Sequence, residues 1–220
     1  MKASTETLNY LEAIAHLPEG ATLVAHQVSW EEYERLLAAL GDAPGLRVSY
    51  DEGRLEIMAP LAEHEAFADT IAYLTRVLTR ELGWKLEARG RATLKRQPRL
   101  KGAEPDECFY VQNAPTIIGK RLDLSVDPPP DVVVEIDLSN ESLAKFPIYA
   151  ALGVPEIWRY DGQAMEIFHL ARDQYVTSPT SLAFPFLSGP VLAEFLGQSK
   201  SLGQDEALDA FRLWVQAHKP

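Results

Sequence analysis

Apolar residues recur along this chain with two periods, and each change of period marks an element. In SWEEYERLLAALG (29–41) they fall at helical spacing, with Ser29 placed as the cap, Glu32 at the capping-box position and Gly41 as the stop. LRVSYDEGRLEIMAP (46–60) holds two alternating runs joined by Asp51, Glu52 and Gly53, which predicts a hairpin. LAEHEAFADTIAYLTRVLTRELG (61–83) returns to helical spacing through Phe67, Ile71, Leu74 and Leu78, and Gly83 ends it. WKLEA (84–88), ATLKRQ (92–97) and ECFYVQN (107–113) read as short strands. After a loop containing GKRLDLSVDPPP (119–130) comes the strand DVVVEIDL (131–138). ESLAKFPIYAALG (141–153) is a helix with Pro147 in its first turns or at a kink. PEIWRYD, AMEIFHL and DQYVTS form a three-strand meander, and two amphipathic helices close the chain.

This order predicts one α/β (α+β) domain, a mixed central sheet flanked by helices. Its expected limits are 25–200, with an N-terminal extension over 1–24 and a C-terminal helix over 201–220 packed on the domain.

One strand is unusual. Residues two apart in a strand share a face, so Val132, Val134 and Ile136 line one side of 131–138. Val133, Glu135 and Asp137 line the other. An ionised carboxylate is costly on such a strand unless it is paired or holds a metal.

Composition narrows the class. The 220 residues are 46% hydrophobic, enough for a packed core. The first twenty residues lack the apolar stretch of a signal peptide, and no apolar run approaches a bilayer span. A single cysteine, Cys108, excludes an internal disulfide framework and reads as a small buried hydrophobe. The expectation is a cytoplasmic protein with no membrane partner.

The net charge of −11 argues against a generic nucleic-acid coat. Yet segment 85–101 carries +6, so the rest of the chain carries −17. Its Arg89, Arg91, Lys95, Arg96, Arg99 and Lys101 could hold a phosphate backbone, or could simply protect strand edges.

Candidate chemistry gathers at three carboxylates. If the strands after Asp106 and around Glu135 pair, Asp106, Glu135 and Asp137 meet at one end of a sheet. Hard oxygen ligands there suit Mg²⁺ or Mn²⁺. Lys145 stands near the start of the next helix, with Tyr149 one turn on along the same face. It would orient water or stabilise charge on a phosphate; the plain alternative is a surface pair with Glu141. His64 is either a base or ligand, or a histidine packed on the sheet. Glu56 has a hairpin cross-strand partner as its ordinary explanation. Arg159 would touch a phosphate or form a salt bridge, and Trp158, Tyr160 and Trp214 read as core or interface residues.

PDECFYV (105–111), PPPDVVVEIDLS (128–139) and Lys145-x-x-x-Tyr149 followed by GVPEIWRYD (153–161) resemble the Uma-two family. LEIMAPLAEHE (55–65) is similar to that family's upstream signature, a proline followed four residues later by histidine. The resemblance covers roughly 25–200 and implies a restriction-endonuclease-like PD-(D/E)XK nuclease. On that resemblance Asp106 matches the aspartate of the first element and Glu135 the acidic residue of the second. The lysine of the second element is replaced by Asp137, and Lys145 looks like its relocated counterpart. A preceding helix would supply His64 or Glu65, with Glu56 as a further candidate. The implied activity is Mg²⁺- or Mn²⁺-dependent endonuclease cleavage of nucleic acid, DNA foremost. A homodimer through the C-terminal helices or an edge strand is expected beside it. The rival is a nuclease-like scaffold that no longer cuts and serves as a binding or assembly module.

Overall fold

The computed structural model describes residues 5–41, 45–138 and 142–220. Helix α1 (Thr5–Ala15) leads to the short strand β1 (Thr22–Ala25). The stretch opened by Ser29 is α2 (Trp30–Leu40), and its capping box is present. Glu32 N–H donates to Ser29 Oγ at 3.2 Å, while Ser29 N–H donates to the Glu32 carboxylate at 2.7 Å. The predicted hairpin is β2 (Arg47–Asp51) and β3 (Arg54–Met58), turned by Glu52 and Gly53. Both turn residues have positive φ, 48° and 97°, a backbone whose twist matches that of the paired strands. Helix α3 (Ala62–Leu82) ends where predicted, at a left-handed Gly83.

The next segment forms less strand than its alternation implied. Its strands are β4 (Glu87–Ala88) and β5 (Leu94–Arg96), and β5 stops short of Pro98, which cannot donate to a ladder and lies in a 3₁₀ turn over Gln97–Arg99. Then come β6 (Lys101–Ala103), β7 (Glu107–Tyr110), the one-turn helix α4 (Ala114–Ile117), β8 (Val132–Ile136) and α5 (Phe146–Leu152). Pro147 falls in the first turn of α5, where its missing N–H loses no helical bond. The meander is β9 (Glu156–Tyr160), β10 (Met165–Ala171) and β11 (Gln174–Ser178). Helices α6 (Gly189–Leu202) and α7 (Gln204–His218) follow.

Two sheets result, with strand orders β1-β3-β2-β6-β5 and β11-β10-β9-β8-β7-β4. In the first, alternation turns Val48, Tyr50, Leu55 and Ile57 toward Trp30, Tyr33 and Leu36 of α2. Strand β6 passes so close beneath that a Cβ on Gly102 would collide with the Tyr33 side chain.

In the second sheet β8 and β9 run parallel while the other neighbours are antiparallel. A parallel pair needs a crossover, and α5 with the turn before it provides one. Val132, Val134 and Ile136 face Phe67, Ile71, Leu74 and the aromatic side chains of α6 and α7. Val133 faces the opposite way, onto Ile148, Tyr149 and Leu152 of α5. Burying each such large side chain stabilises the fold by about 1.5–3 kcal/mol. The second sheet is the expected mixed sheet flanked by helices, and the first, all antiparallel, is an addition to it. Trp158, Tyr160 and Cys108 are buried, and Trp214 stacks on Phe211. No helix among the described residues is long and apolar enough to cross a membrane.

Candidate active site

Strand β7 lies antiparallel to β8, with Glu107 opposite Val134. Asp106, one residue earlier, therefore overhangs the C-terminal end of β8. Its N–H donates to Val134 O at 3.2 Å, and its Oδ2 accepts from Ile136 N–H at 2.8 Å. This brings Asp106 beside Glu135, whose side chain leaves β8 on the α5 side.

The start of α5 meets that side chain. Lys145 Nζ donates to Glu135 Oε2 at 2.7 Å, and Tyr149 OH donates to Glu135 Oε1. Residue exposure is 1% for Glu135, 3% for Asp106 and 9% for Lys145. Burial pushes the Glu135 carboxyl up to about 7, with Lys145 opposing the rise and Asp106 adding to it. Burial also favours the neutral amine of Lys145, but the Glu135 and Asp106 charges outweigh it and hold its pKa above the usual lysine value. Lys145 thus stays an ammonium and Tyr149 a hydrogen-bond donor. The alternative partner of Lys145, Glu141, lies outside the described residues.

Two arginines complete the charge balance. Arg47 of β2 is 2% exposed; its Nε donates to Asp106 Oδ1 at 2.9 Å and its Nη2 to Glu65 Oε1 at 2.8 Å. Arg159 of β9 lies opposite Glu135 in the parallel register and reaches Asp137 Oδ2 at 2.7 Å and Glu166 at 3.0 Å. Of the two readings of Arg159, the salt bridge is present. Arg47 was not among the expected residues. Its alternation with Val48 and Tyr50 shows that it points away from α2, but nothing local says that Asp106 lies there.

A cavity of about 20 Å³ lies between the first sheet and the end of β8, lined by Arg47, Ser49, His64, Glu135, Asp137 and Lys145 among others. That is room for about one water. His64, in the first turn of α3 and 5% exposed, has no hydrogen-bond partner at Nδ1 among the described residues. Glu56 also lines the cavity and pairs with Arg54. Glu65 lies at the outer end of Arg47 and is half exposed.

The donors match Mg²⁺ or Mn²⁺ in kind, since such ions are bound by one or two carboxylates completed by water and substrate phosphate. Asp106 and Glu135 would be that pair. Among the described residues no three His, Cys, Asp or Glu side chains are grouped to hold a metal ion.

The basic segment does not form one continuous stripe. Arg89 donates to Ile117 O at 2.6 Å, Arg91 to Glu65 at 3.3 Å and Lys95 to Glu34 at 2.6 Å. Arg96 gives two N–H bonds to Leu124 O, at 3.0 and 2.7 Å. Lys101 pairs with Asp51 and Glu52, and Arg99 is exposed.

No curated protein matches this chain. A solved structure described as a "putative nuclease belonging to DUF820" from Anabaena variabilis is similar at 15% identity and a TM-score of 0.42. The match covers 73% of this chain and 90% of that one. Residues 30–198 match the family described as "Uma2: Putative restriction endonuclease", the family its motifs resemble, and the chain belongs to that family.

Proposed function

We propose that this chain is a metal-dependent nuclease that hydrolyses phosphodiester bonds in nucleic acid, with DNA as substrate. The observation that carries the reading is the convergence of Asp106 and Glu135 at the end of β8, beside the ammonium of Lys145. Asp106 and Glu135 would hold Mg²⁺ or Mn²⁺, leaving Asp137 to Arg159. A divalent cation there would supply Lewis acidity and make a neighbouring water more acidic.

The other roles belong to the chain itself. Lys145 stays charged, so it serves as an electrostatic partner for the phosphate and not as a base. Tyr149 holds Glu135 in place through its hydroxyl. His64 lines the same small cavity, and its imidazole is the acceptor for the proton of the attacking water.

One observation favours a second reading. Each of the three carboxylates already has a cation partner, and the cavity lined by Glu135 and Asp137 has room for about one water. That arrangement also suits a scaffold that has stopped cutting. Calorimetric titration with Mg²⁺ and Mn²⁺, paired with cleavage of plasmid and single-stranded DNA, separates the two. The nuclease reading expects both signals in the native protein and neither in Glu135→Ala. Absence of metal binding and cutting in the native protein would replace it with the scaffold.

A further inference from the structure

An open recess runs along the outer side of segment 89–97, between α2 and the loop 119–125. At one end, beside Gln97, Pro98 and Arg121, it encloses about 740 Å³. Its middle encloses about 580 Å³ around Ala92, Lys95 and Lys120. The far end, about 330 Å³, lies against Arg89, Arg91 and Glu104. Thr93 lines all three, so they are parts of one trench. Eight residue steps span at most roughly 28 Å.

The trench is basic in a chain of net charge −11. Arg89, Arg91, Lys95, Arg96, Lys120 and Arg121 line it, against Glu34, Glu104 and Asp123. Four of these cations belong to the stripe read from the sequence. Lys120 and Arg121 come from a loop, while Arg99 and Lys101 do not line the trench at all. Arg121 is exposed, and its guanidinium makes no hydrogen bond or ion pair among the described residues. Trp30, Leu37, Leu122 and Pro98 add apolar and flat surface between the charges.

The far end adjoins the carboxylate cluster. Arg91 contacts Glu65, which contacts Arg47, which contacts Asp106. On the other wall, Glu104 O accepts from Lys145 Nζ at 3.5 Å.

We infer that this trench binds a single strand of nucleic acid and leads it to Asp106 and Glu135, an inference that rests on the nuclease reading above. Shape selects the strand over the duplex. A duplex is read by an element that projects into a groove about 12 Å wide. A recess of several hundred cubic ångströms instead takes in a strand whose bases have left the stack. Cations track its backbone while flat and apolar side chains meet its bases.

The test is binding of a fluorescent oligothymidylate, followed by anisotropy in the presence of a chelator so that no cleavage intervenes. Its competitors are the same strand in duplex with oligoadenylate, and thymidine monophosphate. Lys95→Ala/Arg121→Ala removes two exposed-side cations from the trench, and Arg212→Ala on α7 is the control for a lost surface charge. The strand should bind more tightly than the duplex and the monophosphate. The double variant should lose about tenfold in affinity, and the slope of log affinity against log salt should shrink by roughly 1.4. Arg212→Ala should leave both unchanged. Equal or tighter binding of the duplex, equal binding of the monophosphate, or an unaltered double variant would each overturn the inference. Because this binding is read without metal, a protein that binds the strand but never cuts refutes only the nuclease reading. A protein that cuts yet fails the strand test refutes only the trench.

Discussion

Arg47 Nε donates to Asp106 Oδ1 at 2.9 Å across 59 residues of chain, with both side chains buried. Arg47 belongs to the first sheet, and Asp106 overhangs the second. The pair therefore fastens the two sheets together at the place where Glu135 and Lys145 also meet. Removing either one leaves a buried charge without its ion-pair partner.

Arg47→Met should accordingly destabilise the protein by about 3–5 kcal/mol in urea unfolding. Arg47→Met/Asp106→Leu should cost less than Arg47→Met alone, because no orphaned charge remains. Strict additivity of the two single substitutions would mean that they do not act as a pair.

His64→Asn tests the proton acceptor. Loss of the imidazole should slow DNA cleavage by roughly 10²–10⁴-fold while calorimetric metal binding stays intact. Cleavage at the native rate would remove His64 from the mechanism. A parallel loss of metal binding would mark it as a ligand instead.

Glu107 carries a pH dependence of stability. Burial pushes its carboxyl from 4.5 up to about 7, against the hydrogen bonds it accepts from backbone N–H groups. A folded value above the unfolded one means that folding retains the proton. The contribution of Glu107 is thus fully present below about 4.5 and is lost as pH rises through about 7. Glu107→Gln keeps an acceptor for Cys108 N–H and removes the titration. In chelator, its stability relative to the native protein should improve by about 2 kcal/mol between pH 5 and pH 8. A difference that does not change with pH would show that Glu107 is not the titrating group.

Gly102 and Tyr33 form a steric pair in the first core. A Cβ at 102 meets the Tyr33 side chain, and the Tyr33 hydroxyl is buried without a hydrogen-bond partner among the described residues. Gly102→Ala should cost about 1–3 kcal/mol through overpacking. Tyr33→Phe should be neutral or stabilise by about 1 kcal/mol, since it removes an unsatisfied group. Adding it to Gly102→Ala should recover part of the loss. Thermal melts of the three variants decide this.

Features that depend on neighbours in the chain are legible in the residues alone. Ser29 and Glu32 cap a helix within one turn, and Glu52-Gly53 sets the hairpin through positive φ. The two-residue alternation of β8 puts Val132, Val134 and Ile136 opposite Val133 and Glu135 whatever packs on either side. The proximity of Asp106 and Glu135 also follows from local reading, once the two adjacent strands pair. Lys145 is placed near those carboxylates by its position at the start of the next helix, with a surface pair to Glu141 as the alternative, and the family motif favours the first.

Only the tertiary structure decided which charges meet. Arg47 could be placed on a face of β2 from its alternation, but its partner comes from the other sheet. Arg159 reaches Asp137 because β9 lies parallel to β8 in one register. Of the basic segment, Lys101 pairs with Asp51, while Arg121 from a separate loop lines the trench beside Lys95 and Arg96. Backbone propensity and turn chemistry act over a few residues. The pairing of buried charges depends on which sheet faces pack together, and that is settled by the whole core at once.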